Sequence, residues 1–419
     1  MQYYLVEGGK PLHGSIPISG AKNSVLPILA ATLLTGGRTI LHNCPDLRDV
    51  RSALEILEHL GCRTRRQDSD ILVDSSGASR WDVPHALMRE MRSSVIFLGP
   101  ILARFGKARL SLPGGCEIGQ RPIDLHLAAL RRLGAEIREE GGDILCRAGD
   151  LRGREIILSF PSVGATENAM LTACACSGVT RIINAAREPE IADLQAFLQK
   201  AGADIGGSGE SVITVSGGMP RRDVEHTILP DRIETATYLC AAAACGGEVT
   251  LTETQPEQVG TVLQCLSEAG CTVRTAGRSI TLLAPERLGH IAQVRTMPYP
   301  GFPTDAQAPL MAAACTGQGA SVFLETIFEN RYRHVSELAR MGADIRVSGR
   351  TALVNGAALH GASVRCTDLR GGAALVIAAL AARGESRIED ITHIDRGYEH
   401  LAEKLTALGG SIRRLEEPD

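Results

Sequence analysis

The stretch Leu110 to Pro122 reads LSLPGGCEIGQRP and places one thiol, Cys116, between a Gly-Gly pair and a Glu-Ile-Gly-Gln-Arg-Pro run. A thiol in such a connection can give up a proton or attack as thiolate, because its pKa is tunable and the thiolate is nucleophilic. Cations recur at helix starts elsewhere: SGAKNS (Lys22, Asn23), EMRSS (Arg92), PDRIET (Arg232), TDLRGG (Arg370), FENRYRH (Arg331) and HIDRGYE (Arg396). A lysine or arginine there works against the helix dipole, so helix stability does not explain it. The set describes a basic cleft for a multiply charged anion, with arginine forks suited to phosphate and carboxylate. Carboxylates stand at equivalent junctions, Asp305 in FPTDAQ among them, and SVGATEN offers free N–H groups at Ser162 to Gly164. Solvated surface charges or salt bridges between domains are the plainer reading of any one of these arginines.

Composition narrows the classes. The 419 residues are 44% hydrophobic and 22% charged, with a net charge of −4 and only 3% aromatics. That argues against nucleic acid, which calls for a basic face interleaved with stacking rings. The opening MQYYLVEGGKPLHG lacks a basic start and an apolar core, so no signal peptide is read there. The longest apolar run, 373–382, has 10 residues, well short of the roughly 20 that span a bilayer. A cytoplasmic protein without membrane insertion is expected. The 12 cysteines form no CxxC and the 11 histidines no HExxH, so neither a structural metal nor a disulfide framework is expected. Cys174, Cys176, Cys240, Cys245 and Cys315 fall in Ala-rich helical patterns as small buried hydrophobes. The GGCEIG run fits neither the Walker nor the Rossmann glycine pattern, so no nucleotide cofactor is called for.

The elements that must position these residues repeat. A helix end, a glycine and a strand recur at Gly61, Gly134, Gly202, Gly270, Gly342 and Gly409, spaced 67 to 73 residues apart. The glycine suits a helix C′ position with positive φ. Each copy holds an Ala- and Leu-rich helix, a strand, a more polar amphipathic helix and two closing strands, an α-β-α-β-β unit of about 70 residues. The sixth copy runs out after Gly409, and LVEGGKPLHGSIPI at the N-terminus aligns with LVNGAALHGASVRC, which closes the fifth. The N-terminal strands therefore complete the sixth unit. Six units exceed one core, which gives two three-repeat domains: residues 21–229, carrying the Cys116 loop, and residues 1–20 plus 230–419.

Together with the motifs ISGAKNSVLPIL, LPGGCEIGQRPIDLH, PSVGATENAML, NAAREPEI, LPDRIET, GFPTDAQA, ETIFENR and HIDRGYE, the sixfold repeat resembles the UDP-N-acetylglucosamine enolpyruvyl transferase family along the whole chain. The resemblance implies an α/β fold: two inside-out barrels of three units each, with helices inside and sheets outside, that close over the substrates. It implies transfer of the enolpyruvyl group of phosphoenolpyruvate to the 3′-hydroxyl of UDP-N-acetylglucosamine with release of phosphate, the first committed step toward peptidoglycan. By resemblance Cys116 is the general acid and carries a covalent phosphoenolpyruvate or fosfomycin adduct, and Asp305 is the candidate base. Lys22, Asn23, Arg121, Arg370 and Arg396 match phosphoenolpyruvate contacts, and Lys22 and Arg396 join the catalytic set. Asn23, Arg92, Arg121, Pro122, Ile123, Asp124, Leu125, Ser162, Val163, Gly164, Asp305 and Ile327 match positions about the UDP-sugar. No metal or cofactor is implied. Two departures are small: Ala236 stands where glycine is common, and Tyr332-Arg333 where a Phe-Met pair is common.

Three rivals share parts of the pattern, one of them a paralogue that binds the UDP-sugar without catalysis, against which the joint presence of Lys22, Cys116, Asp305 and Arg396 argues. The shikimate 3-phosphate branch has the fold and phosphoenolpyruvate but not this cysteine loop. A cysteine hydrolase would need a histidine partner for Cys116, and His126, ten residues along in the next helix, serves a polar or structural role equally well.

Overall fold

The computed structural model describes residues 2–91, 93–111 and 123–417. The Cys116 loop, Arg92, Arg121 and Pro122 lie outside the described residues.

All six repeat glycines take the left-handed conformation that ends a helix, with φ of 99° at Gly61, 105° at Gly134, 97° at Gly202, 94° at Gly270, and 90° at Gly342 and Gly409. The chain divides into two compact units, one holding residues 20–111 and 123–229, the other 2–19 and 230–417. Each contains three four-stranded sheets.

In every sheet three strands are antiparallel neighbours and the fourth is an edge strand paired in parallel. That fourth strand is a closing strand of the preceding repeat, so each repeat supplies four strands where the α-β-α-β-β pattern has three. In the first unit Asp82–Val83 pairs with Lys107–Ser111 and Glu155–Ile157 with Val179–Ile183. Val224–Thr227 then returns to Arg38–His42 and closes a ring of three sheets. The second unit closes in the same way. Gln293–Arg295 pairs with Ala320–Leu324, Ser363–Arg365 with Glu385–Glu389, and Leu12–Pro17 with Gly247–Thr252. The strand Gln2–Glu7 lies between Glu385–Glu389 and Ser411–Glu416, antiparallel to both.

Helix composition follows position. In Lys22–Thr35 nearly every side chain is buried, and Ile28, Leu29, Ala30, Ala31 and Leu33 are fully so. Arg232–Cys245, Thr304–Ala314 and Leu369–Ala381 are equally dry and pack on one another. A helix hydrophobic all round belongs in a core, and alanine and glycine allow close approach. At Gly99 a Cβ would stand 2.7 Å from Asn168 Oδ1, the atom that accepts the Gly99 N–H. Arg48–His59 buries one face only, through Val50, Ala53, Ile56 and Leu57.

The two departures from the family pattern are absorbed by packing. Ala236 is fully buried in the dry helix Arg232–Cys245. Tyr332 donates its hydroxyl to the carbonyls of Phe323 and Arg350, at 3.0 and 3.1 Å. Among the described residues no helix is long and apolar enough to cross a membrane.

Candidate active site

The first unit holds candidate residues at three helix starts. Lys22 is the first residue of its helix, and its ammonium lies 2.7 Å from Asp49, whose side chain is 1% exposed. Asp49 sits in the first turn of Arg48–His59, where a carboxylate suits the helix dipole. Asn23 follows Lys22 in the same turn.

Ser162 caps Val163–Ala173, its hydroxyl accepting the Ala165 N–H. Ile123 precedes the helix Asp124–Arg132, which Asp124 and Leu125 begin. His126 joins these two groups. Its ring lies so close to Gly164 that a Cβ there would stand 2.8 Å from Cε1. On its other side Nδ1 accepts from Asn168 Nδ2 at 2.8 Å. Burial pushes the imidazole down to about 4, so it is neutral and held. This is a structural histidine, not the free base a cysteine hydrolase requires.

Glu167, Glu188 and Glu190 form a carboxylate group in the same unit. Burial pushes the Glu167 carboxyl up to about 8, with Glu190 and Glu188 adding to the rise. Between its ordinary value of 4.5 and about 8 the folded protein keeps a proton that the unfolded chain releases. Stability therefore falls as pH rises through that window. Glu167→Gln removes this dependence. Its melting temperature relative to wild type is expected to climb from pH 5 to pH 8, as measured by calorimetry at both values. A constant difference would contradict the assignment.

The second unit holds a charge cluster built from two repeats. Asp305, in the first turn of Thr304–Ala314, is clamped at both oxygens. Arg331 Nη2 donates to Oδ1 at 2.7 Å and Arg370 Nη2 to Oδ2 at 3.1 Å. Both guanidiniums are 3% exposed. Arg331 also donates to the Thr304 carbonyl at 3.2 Å. Arg370 lies over the Tyr398 ring, 5.2 Å from its centroid, and the Tyr398 hydroxyl bonds Thr237 at 2.9 Å. Asp368 caps the Arg370 helix by accepting the N–H groups of Arg370 and Gly371, each at 3.0 Å. Burial raises the Asp368 carboxyl, but Arg331 and those N–H groups outweigh it and hold the group below the usual carboxylate value.

Glu325 fixes the remaining loop. Its Oε1 accepts from the Ile327 and Phe328 N–H groups at 2.8 and 3.0 Å, while Oε2 accepts from Thr304 Oγ1 at 2.9 Å. Ile327 is thereby tied to the helix that carries Asp305. Arg396 ends a separate 3-10 turn, Ile391–Arg396, two residues before Tyr398.

Three positioning groups, Asp49, Glu325 and Tyr398, carry no signal of their own in the sequence. Each becomes visible only through the partner it holds. The cluster of the second unit can bind an anion through its guanidinium groups and accept a proton at Asp305, and the first unit, taken by itself, offers the Lys22 ammonium.

The chain resembles known proteins over its full length. Residues 6–405 match the sequence profile of the family described as EPSP synthase (3-phosphoshikimate 1-carboxyvinyltransferase). The chain is 52% identical to UDP-N-acetylglucosamine 1-carboxyvinyltransferase 1 of Symbiobacterium thermophilum, covering 98% of this chain and 95% of the relative. It is 48% identical to UDP-N-acetylglucosamine 1-carboxyvinyltransferase 2 of Caldanaerobacter subterraneus subsp. tengcongensis, over 99% and 100%. Among solved structures, the enolpyruvyl transferase NikO from Streptomyces tendae superposes with a TM-score of 0.90 at 26% identity, over 100% of this chain and 99% of NikO. An EPSP synthase from Acinetobacter baumannii shares the fold, with a TM-score of 0.72 at 18% identity over 99% and 100%.

Proposed function

Because this chain belongs to the UDP-N-acetylglucosamine 1-carboxyvinyltransferase family, we propose that it transfers the enolpyruvyl group of phosphoenolpyruvate to the 3′-hydroxyl of UDP-N-acetylglucosamine. The observation that carries the reading is Asp305, a carboxylate at a helix start with one buried guanidinium on each oxygen. Such a group can take a hydroxyl proton while the neighbouring cations hold substrate anions.

In the proposed sequence Cys116 gives its proton to C3 of phosphoenolpyruvate. The sugar 3′-oxygen adds to C2 as its proton passes to Asp305. Loss of phosphate from C2, as a C3 proton returns to the Cys116 thiolate, then restores the double bond, and Asp305 gives its proton to the departing phosphate. Lys22, Asn23, Arg121, Arg370 and Arg396 hold the phosphate and carboxylate. Asn23, Arg92, Arg121 to Leu125, Ser162 to Gly164 and Ile327 hold the UDP-sugar. Both substrates are water-soluble small molecules, the product feeds peptidoglycan synthesis, and the cytoplasm is where they meet the enzyme.

The test is phosphate release from phosphoenolpyruvate and UDP-N-acetylglucosamine together. No release, or release without the sugar nucleotide, overturns the reading. Shikimate 3-phosphate in its place should give none.

The thiols sharpen the assignment of Cys116. Eleven of the 12 cysteines are described, and burial pushes all eleven up, Cys176 to about 11 and most others to about 12. Such thiols hold almost no thiolate at neutral pH. Treatment with the epoxide fosfomycin at pH 7.5 should modify Cys116 and leave the other eleven untouched, read by mass spectrometry of peptides. An adduct on any of the eleven would reassign the site.

A further inference from the structure

The helix Lys22–Thr35 starts without a side-chain cap. Ala21 holds the N-cap position, and the first residue is a cation that opposes the dipole. Its first turn is fixed from outside, by Asp193 of the helix Pro189–Lys200. Asp193 Oδ2 accepts from Ser24 Oγ and, at 3.3 Å, from the Leu229 N–H. Asp193 Oδ1 accepts from His226 Nε2 at 2.9 Å.

All of this is shielded from water. The Asp193 side chain is 9% exposed and Ser24 fully buried. His226 is buried in the strand Val224–Thr227, its ring edge-on to Phe197 with centroids 5.7 Å apart. The Leu229 carbonyl accepts the Ala21 N–H at 2.7 Å, so Leu229 touches both the carboxylate and the helix start. One carboxylate thus gathers three pieces: the turn bearing Lys22 and Asn23, the strand that closes the ring of sheets, and the last residue before the chain leaves the unit.

A hydroxyl, a carboxylate and an imidazole invite comparison with a hydrolytic triad. Their order excludes it, because the carboxylate stands in the middle and the imidazole bonds it rather than the hydroxyl.

We propose that Asp193 is a positioning residue for Lys22 and Asn23, acting through Ser24 and through Leu229. The proposal rests on the enolpyruvyl-transfer reading, in which Lys22 holds the phosphate of phosphoenolpyruvate. Displacing a binding group by about 1 Å can lower a rate on the order of 10²-fold. The Ser24–Asp193 bond therefore acts on phosphoenolpyruvate through Lys22 and Asn23, and on the sugar nucleotide through Asn23 alone.

Ser24→Ala breaks only the link to the helix, and Asp193→Ala breaks all three. The expected result is a fall in kcat/KM for phosphoenolpyruvate of about 10-fold for Ser24→Ala and about 10²-fold for Asp193→Ala. KM for the sugar nucleotide, which Asn23 also contacts in that reading, should rise by less than the loss seen for phosphoenolpyruvate. A second readout needs no turnover: the rate at which acetic anhydride acetylates the Lys22 amine, by mass spectrometry, rises several-fold in both variants. A lowered melting temperature with unchanged phosphoenolpyruvate kinetics and unchanged acetylation would reduce Asp193 to a structural residue and overturn the proposal. If Asp193→Ala does not fold, Ser24→Ala decides. If wild type releases no phosphate, the enolpyruvyl reading fails, and the acetylation ratio still tests the positioning.

Discussion

Lys22→Met is expected to lower kcat/KM by about 10²- to 10³-fold, the scale on which one preorganised donor to a developing anion acts, and to destabilise the protein as well. Two effects are combined because Lys22 has two tasks. Its ammonium is 2.7 Å from Asp49, a nearly fully buried carboxylate, and breaking a buried pair from one side costs about 3–5 kcal/mol. A double variant separates them. Lys22→Met with Asp49→Leu removes both members of the pair, so thermal stability should return toward wild type while activity stays lost. Calorimetry and the phosphate assay on the single and double variants check this. Recovery of activity in the double variant would show that Lys22 matters only for folding.

Asp305→Asn is the second large effect. If Asp305 takes the proton of the sugar hydroxyl, the amide cannot, and kcat should fall by about 10²- to 10⁴-fold. The amide offers one acceptor where the carboxylate offered two, so Arg331 or Arg370 loses its partner atom. That should destabilise the second unit by about 1–3 kcal/mol. The control is Arg331→Met, which removes the Arg331 donor to Oδ1 and a buried cation but keeps the carboxylate. It should retain more activity than Asp305→Asn in phosphate-release kinetics. Equal losses would make the clamp, rather than the carboxylate, the functional element.

The repeat was readable because its cause is local. A helix that ends in a left-handed residue needs glycine, and six glycines at near-constant spacing mark six ends. The dry helices were readable from their alanine content, and the helix-start cations from their conflict with the dipole. The closing strands Glu155–Ile157 and Ser363–Arg365 were legible as strands, but their parallel pairing with the next repeat was not, and Gln293–Arg295 was harder still. Three residues are too few to show a period, and their partners lie in the next repeat. The clamp on Asp305 was not readable either. Arg331 stood among the junction cations and Arg370 among the candidate contacts, but nothing in the chain says that residues 26 and 65 positions away reach the same carboxylate. Asp49 looks like an ordinary helix-start acid until Lys22 is set beside it. The Cys116 loop, the most legible motif of all, lies outside the described residues.

The sharing of strands between repeats orders events during synthesis. Every sheet of the first unit draws its strands from residues 38–227, so that unit can close as soon as its own segment has emerged. The second cannot. Leu12–Pro17 waits for Gly247–Thr252, and Gln2–Glu7 waits for Glu385–Glu389 and then Ser411–Glu416. At ribosomal speeds the earliest strands stay unpaired for on the order of tens of seconds. During that interval two strands with open hydrogen-bonding edges are exposed, and an uncovered edge is a template for pairing with another chain. Of all the strands in the second unit, these two therefore wait longest for their hydrogen-bonding partners.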